Sequence, residues 1–297
     1  MSSDVSQQNK DETSHDKNKA TKPHGDHSED EVKVTESENS PIPPMLSTLV
    51  NGYISGISSS TRASLYFCLI MYISIFYSDL QSTSYLADAK SFPNQYFVKF
   101  AWGWTFSAVF LFMLVSNYIT TGSWFSDKTL KSSGRLVVGT IVWYVFARII
   151  FPYIEEVTGV CEVSSLVTKR SCYMAGHFWR GFDISGHCFL LSWNNLFMME
   201  ESQGFFQNKK SMKVAANRET QEGQKESFKH YLEYLSFGLA FLILLGEVMI
   251  LCTSLYFHTF MEKLFGTLCG LGSWYLMYKK LYQGSWHPLY LDPGKEN

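Results

Sequence analysis

The stretch HFWRGFDISGHCFLLSWNN, residues 177–195, carries two histidines, an arginine and an aspartate in its first eleven positions and then turns apolar. Chemistry-bearing residues stand at the mouth of what reads as a membrane segment. Everything else in the 297-residue chain is arranged around that junction.

The average composition hides this. Mean hydropathy is only −0.06. From Met1 to Gly52, however, there is no aromatic residue and a high density of Lys, Asp, Glu, Ser and His. Such a segment cannot bury enough apolar surface to offset its ordering entropy, so it reads as a disordered tail. What remains is far more apolar than the mean. Apolar runs cover residues 63–78, 97–120, 135–153, 184–199, 231–257 and 264–282. A full crossing takes roughly 20 residues, so the first and fourth runs must borrow from their flanks. The expected fold is an all-α, polytopic membrane protein with six transmembrane helices. The expected organisation is a disordered, acidic tail with a short interfacial segment at 1–60, a six-helix domain at 61–283 and a cytosolic tail at 284–297. A basic region followed by an apolar one is missing at the start, so no cleaved signal peptide is expected. The net charge of −2 comes with no basic face, which argues against nucleic acid.

Lys and Arg set the orientation. The connection after the fourth run carries Lys209, Lys210, Lys213, Arg218, Lys225 and Lys229, and the one after the second carries Lys128 and Lys131. With six crossings both connections share one side with both termini, which is then cytosolic. The mouth around His187 faces the lumen or exterior. Of the six cysteines only Cys161 and Cys172 fall in a non-cytosolic loop, where an oxidising compartment permits a disulfide. Free thiols remain open, as does a zinc site with His177 and His187, although no CxxC or HExxH spacing supports zinc.

On a helix, Asp183 and His187 lie four apart and share a face, with Asp183 a candidate N-cap and Asn194 continuing the stripe. Ser185 and Gly186 place a small and a flexible residue beside the imidazole, so a bulky ligand can approach. The fifth run ends in GEVMILCTSLYFHTFMEK. Topology brings its His258 to the side of His187, and Glu247, Ser254 and His258 recur at +7 and +4. Glu262 follows His258 by four. Glu247 lies deep in the apolar run and is expected to face the bundle interior. Two imidazoles near carboxylates suit nucleophilic and acid/base work, since histidine titrates near neutrality. A phosphorus electrophile would need cations nearby. Arg148, Arg180 and Lys99 are the candidates on that side, and an arginine can hold a phosphate bidentately. No metal or other cofactor is required. The basic stretch KTLKSSGR, residues 128–135, falls on the opposite side and reads as positive-inside anchoring.

FDISGHCFLL and YFHTFMEKLFGTLCGLGSWY, with FPYIEEVTGVC, resemble the fat storage-inducing transmembrane (FIT) family of the endoplasmic reticulum. The likeness runs from Ala63 to Tyr282. It implies a fold related to the lipid phosphate phosphatases. It also implies an acyl-CoA diphosphatase that yields acyl-4'-phosphopantetheine and adenosine 3',5'-bisphosphate at a lumenal site, supporting lipid-droplet formation and lipid metabolism. His187 in ISGH then matches the histidine that acts on the leaving group, and His258 the one that attacks phosphorus. Di- and triacylglycerol are further implied ligands, along with the lipids of the endoplasmic reticulum membrane. The chain departs from the phosphatase pattern at Leu251 and Cys252, where a serine–arginine pair would stand. The alternative function is a non-catalytic acylglycerol-binding scaffold for droplet budding. A transporter is disfavoured by the lack of an inverted repeat. The small-residue run GTLCG, residues 266–270, can pack inside one chain or between two, so the oligomeric state stays open.

Overall fold

The computed structural model describes residues 43–77, 84–207 and 222–282. The acidic tail, Ser78, most of the basic connection after the fourth run and the C-terminal tail lie outside them.

Within the described residues the chain is almost entirely helical. Pro44–Ser55 (α1) precedes Ser59–Phe76 (α2), whose first turn is capped by the Ser58 hydroxyl accepting from Thr61 N–H at 3.1 Å. A short 3₁₀ turn, Tyr85–Ala87, and a π turn, Pro93–Val98, lead into Ala101–Thr121 (α3). Helix α3 ends at Gly122, whose φ of 72° is the left-handed stop that glycine adopts without steric cost. Asp127–Tyr144 (α4) continues through a π turn, Val145–Ile150, into Phe151–Thr158 (α5). Pro152 in the first turn of α5 has no N–H for the Arg148 carbonyl, and the wider π turn accommodates its ring. A two-residue antiparallel ladder joins Val160–Cys161 (β1) to Trp179–Arg180 (β2), with Lys169–Met174 (α6) between. Gly186–Gln207 (α7), Glu222–Tyr256 (α8) and Phe260–Tyr275 (α9), the last running into a π turn at Leu276–Leu281, complete the bundle.

Among the described residues, four stretches are long and apolar enough to cross a membrane: Ser59–Phe76, Ala101–Thr121, Asp127–Thr158 and His230–Tyr256. They leave large apolar side chains outward, among them Leu65, Tyr72, Ile141, Phe241 and Leu244. That pattern fits lipid as the surrounding solvent, and the chain is a multi-pass membrane protein. Helix α7 differs. Every residue from 188 to 199 is buried, polar ones included, so α7 is the axis around which the others pack. Trp193, Phe189 and Phe197 fill the space around it.

Helices α7 and α9 run parallel in close contact. A Cβ on Gly266 would meet the Ser185 carbonyl, and one on Gly270 would meet the Ser192 hydroxyl and the Phe189 carbonyl. Further along, Trp274 donates to Glu200 at 3.1 Å and Tyr278 to Glu201 at 2.6 Å. The small residues of GTLCG therefore serve packing within one chain.

Candidate active site

Because α7 and α9 are parallel, their N-termini lie at the same end, beside the C-terminus of α8. Ser185 caps α7, its hydroxyl accepting from Cys188 N–H at 3.3 Å. Thr259 caps α9 in a reciprocal box, with Thr259 N–H donating to Glu262 at 2.8 Å. The two caps are stitched together by Ser185 N–H donating to the Glu262 carbonyl at 3.0 Å. Two positive helix ends thus meet where the sequence puts its histidines, an arrangement that favours an anion.

His187 occupies the second residue of α7, and Gly186 before it adjoins open space. His258 lies just past the end of α8, with φ of 61°. A left-handed residue commonly terminates a helix, but the position normally belongs to glycine, and a histidine there carries a backbone cost. The effect is to turn the imidazole back over α7. The two rings stand 6.5 Å apart between centroids and nearly perpendicular, with Phe257 beside His187 at 6.2 Å. The Nδ1 atom of His258 faces two carboxylates, Asp183 and Glu262, each at 3.7 Å. The Nδ1 atom of His187 is buried without a partner. Partial burial raises the Asp183 carboxyl above the ordinary range, His258 opposes this, and Glu155 and Glu262 add to it. With 60 % of that side chain exposed, solvent screens much of the effect.

The pairing of carboxylates corrects the expectation from sequence. Asp183 does not cap α7 or share a helical face with His187. Ser185 takes the cap, the helix begins at Gly186, and Asp183 in the extended segment before it turns to His258. The stripe Glu247–Ser254–His258 is also broken, because α8 ends before His258. The Ser254 hydroxyl bonds back to the Ile250 carbonyl at 2.8 Å. Glu247 is engaged elsewhere: it accepts from Arg62 at 2.8 Å, Tyr66 at 2.8 Å and Tyr53 at 2.6 Å. Arg62 in turn donates to the Tyr53 carbonyl and lies 4.4 Å from the Tyr53 ring centroid. Glu247 is part-buried, with 26 % of its side chain exposed, and these bonds join α1 and α2 to α8.

The candidate phosphate cations are not gathered. Arg148, in the π turn before α5, is exposed and contacts neither histidine. Arg180 is exposed on β2, paired in register with Val160. Lys99 is exposed just beyond the Pro93–Val98 turn. Sequence reading passed over Lys263, which is 1 % exposed and donates to the Ser254 carbonyl at 2.8 Å. It satisfies an end carbonyl of α8 just beneath the histidines. The only hint was a lysine in the first turn of an apolar run.

Asn194 is buried in α7 with both amide atoms unpartnered. Cys161 and Cys172 form a disulfide, which removes them from any zinc site. Arg135, at the end of the basic 128–135 stretch, pairs with Glu201 at 2.8 Å near the far end of α7.

The fat storage-inducing transmembrane protein family matches the chain over residues 82–160 and 153–278. The chain is 36 % identical over 219 residues to the acyl-coenzyme A diphosphatase FITM2 of Homo sapiens, covering 71 % of this chain and 76 % of that one. The protein of the same name from Danio rerio is 34 % identical over 227 residues, covering 73 % and 82 %. The one from Drosophila melanogaster is 28 % identical over 263 residues, covering 77 % and 62 %. No solved structure matches the chain.

Proposed function

The chain belongs to the fat storage-inducing transmembrane family, and from that premise we propose that it is an acyl-CoA diphosphatase of the endoplasmic reticulum membrane. It splits the pyrophosphate of a long-chain acyl-CoA into acyl-4'-phosphopantetheine and adenosine 3',5'-bisphosphate. The observation that carries the site assignment is the facing pair His187 and His258, 6.5 Å apart at the joined N-termini of α7 and α9.

His258 is the nucleophile. Its Nδ1 side is turned to Asp183 and Glu262, which orient the ring and leave Nε2 for phosphorus. Attack forms a bond from Nε2 to the phosphorus nearer pantetheine and breaks the bond to the bridging oxygen. His187 gives its proton to that oxygen, and adenosine 3',5'-bisphosphate leaves. Water, deprotonated by His187, then displaces His258 and releases the acyl-phosphopantetheine. His187 has no carboxylate of its own, so the pyrophosphate anion supplies the counter-charge when it arrives. The helix N-termini stabilise the charge that develops on phosphorus. Arg148 is left out of this assignment.

The orientation is part of the proposal: termini cytosolic, histidines lumenal. The Cys161–Cys172 disulfide in the histidine-side loop supports it, since disulfides persist in oxidising compartments. Di- and triacylglycerol binding and support of droplet budding are carried over from the family resemblance as further parts of this reading.

The test uses purified protein in nanodiscs with oleoyl-CoA and detection of both products by mass spectrometry. Wild type should produce them, and His187→Ala and His258→Ala should not while remaining folded. Equal product from all three, or none from wild type, would overturn the two-histidine reading.

A further inference from the structure

The loop between α5 and α7 forms a platform beside the histidines. The Cys161–Cys172 disulfide and the β1–β2 ladder close it on itself. Trp179 Nε1 donates to the Glu155 carbonyl at 3.2 Å and Phe182 N–H to the Thr158 hydroxyl at 2.8 Å, which fix it to α5. On this platform α6 and the end of α5 line an open cleft of about 550 Å³, bounded by Glu156, Lys169, Arg170, Tyr173 and Met174. Ligand clefts commonly measure about 300–1,000 Å³.

The cleft adjoins the histidines. Lys169 pairs with Glu155 at 2.5 Å. A Cβ on Gly181 would meet the Glu155 carbonyl and side chain, so the segment leading to Asp183 runs against that pair. Burial raises the Asp183 carboxyl and Lys169 opposes the shift, which puts the ammonium within electrostatic reach of a carboxylate that is itself 3.7 Å from His258 Nδ1. The lining is uneven in its chemistry. Glu155 holds Lys169, whereas Arg170 is exposed and has no ion-pair partner among the described residues. The Tyr173 ring is 53 % exposed, with the Lys169 ammonium 5.9 Å from its centroid. Glu156 is an exposed carboxylate, which can only accept hydrogen bonds. A cation free for a phosphate, an open aromatic face and an acceptor for an amino group are the contacts that suit an adenine nucleotide.

The diphosphatase reading supplies such a nucleotide. Its leaving group carries a 3'-phosphate and an adenine, which are too polar to lie among the helices. About eight bonds separate the reacting phosphorus from the 3' phosphorus, a reach of about 9 Å for an extended chain at about 3.5 Å per three bonds. We propose that the cleft on α5 and α6 holds the adenosine 3',5'-bisphosphate part of acyl-CoA, with Arg170 on the 3'-phosphate, Tyr173 stacked on the adenine and Glu156 accepting from its amino group. The inference rests on the diphosphatase reading. It gives the loop a substrate-binding role separate from the reacting atoms.

The experiment measures binding of two nucleotides to the full chain in nanodiscs. One is adenosine 3',5'-bisphosphate, and the other is adenosine 5'-monophosphate, which lacks the 3'-phosphate. Wild type should bind the bisphosphate about tenfold tighter, about 1.4 kcal/mol. Arg170→Gln should lose that preference, weakening the bisphosphate about tenfold and leaving the monophosphate within about twofold. Tyr173→Ala should weaken both by at least about fivefold, and Tyr173→Phe, which keeps the ring, should bind both as wild type does. Both side chains are exposed, so Tm should hold in all three variants. A wild type without preference, equal weakening of both nucleotides or of neither by Arg170→Gln, or no effect of Tyr173→Ala would overturn the inference. Nucleotide binding as expected with no product from oleoyl-CoA would overturn the diphosphatase reading and leave the nucleotide site standing. Product from a chain that binds neither nucleotide would do the opposite.

Discussion

At one end of α7 stand His187, with a buried nitrogen left unpaired, and His258, held in a glycine-like backbone conformation. At the other end stand Glu200 and Glu201, and each of these carboxylates has partners on other helices. Glu201 takes Arg135 and Tyr278, while Glu200 takes Trp274 and Lys279 at 3.1 and 3.0 Å. A third cluster at mid-depth, Glu247 with Arg62, Tyr53 and Tyr66, resembles the glutamate end. The difference separates two uses of polarity in an apolar bundle. A buried charge whose partners come from several helices fastens those helices. On the proposed function, the histidines that the fold leaves short of partners, one of them at a backbone cost, receive the substrate.

The sharpest break of the comparison is at His258. Replacing it with glycine suits the left-handed backbone, so Tm should not fall. Turnover of oleoyl-CoA should drop by at least about 10⁴-fold, about 5.5 kcal/mol of transition-state stabilisation. A stability loss with turnover retained would assign His258 to the fastening class.

The mid-depth cluster should behave in the opposite way. Arg62→Met strands Glu247, and losing one partner of a buried pair costs about 3–5 kcal/mol. The double change Arg62→Met with Glu247→Leu should recover most of that. Denaturation midpoints of the three proteins check it, and turnover per folded molecule should stay close to wild type.

At the glutamate end, Glu201→Gln weakens its bond to Arg135 without emptying the site. A loss of about 1–3 kcal/mol is expected, with turnover per folded molecule again unchanged. The smallest effect should come at the histidine end itself. Asp183→Asn removes one of two carboxylates facing His258 and should lower kcat/KM about tenfold, about 1.4 kcal/mol. Its pH–rate profile should lose the ionisation of Asp183, whose carboxyl burial raises above the ordinary range. An unchanged profile would mean that Glu262 alone orients the ring.

Much of this was legible beforehand, and the failures have identifiable causes. His187 and His258 were brought together by counting crossings, because an apolar run that enters on one side must leave on the other. Sequence spacing sets Asp183 beside His187 because it reads as the cap of α7, two positions ahead of Ser185, which takes that place. An aspartate and a serine both suit a cap, and only the Glu262 carbonyl, by taking Ser185 N–H, fixes which one serves. Glu247 was correctly turned inward, but its partner Arg62 was overlooked because it sits just ahead of the first apolar run. The rule that a charge at membrane depth seeks its opposite would have pointed to it.

The sequence by itself determined an all-α membrane protein with its chemistry at one end. Apolar period and length are local properties, and lipid permits few ways to satisfy a backbone. The tertiary structure alone decided which histidine Asp183 faces, that Cys161 joins Cys172, that Glu247 meets Arg62, Tyr53 and Tyr66, and that Asn194 is left unpaired. Those facts depend on contacts between residues as far as 194 positions apart, as in Tyr53 and Glu247. Hydrogen bonds act over about 3 Å, a distance that no periodicity along the chain can specify.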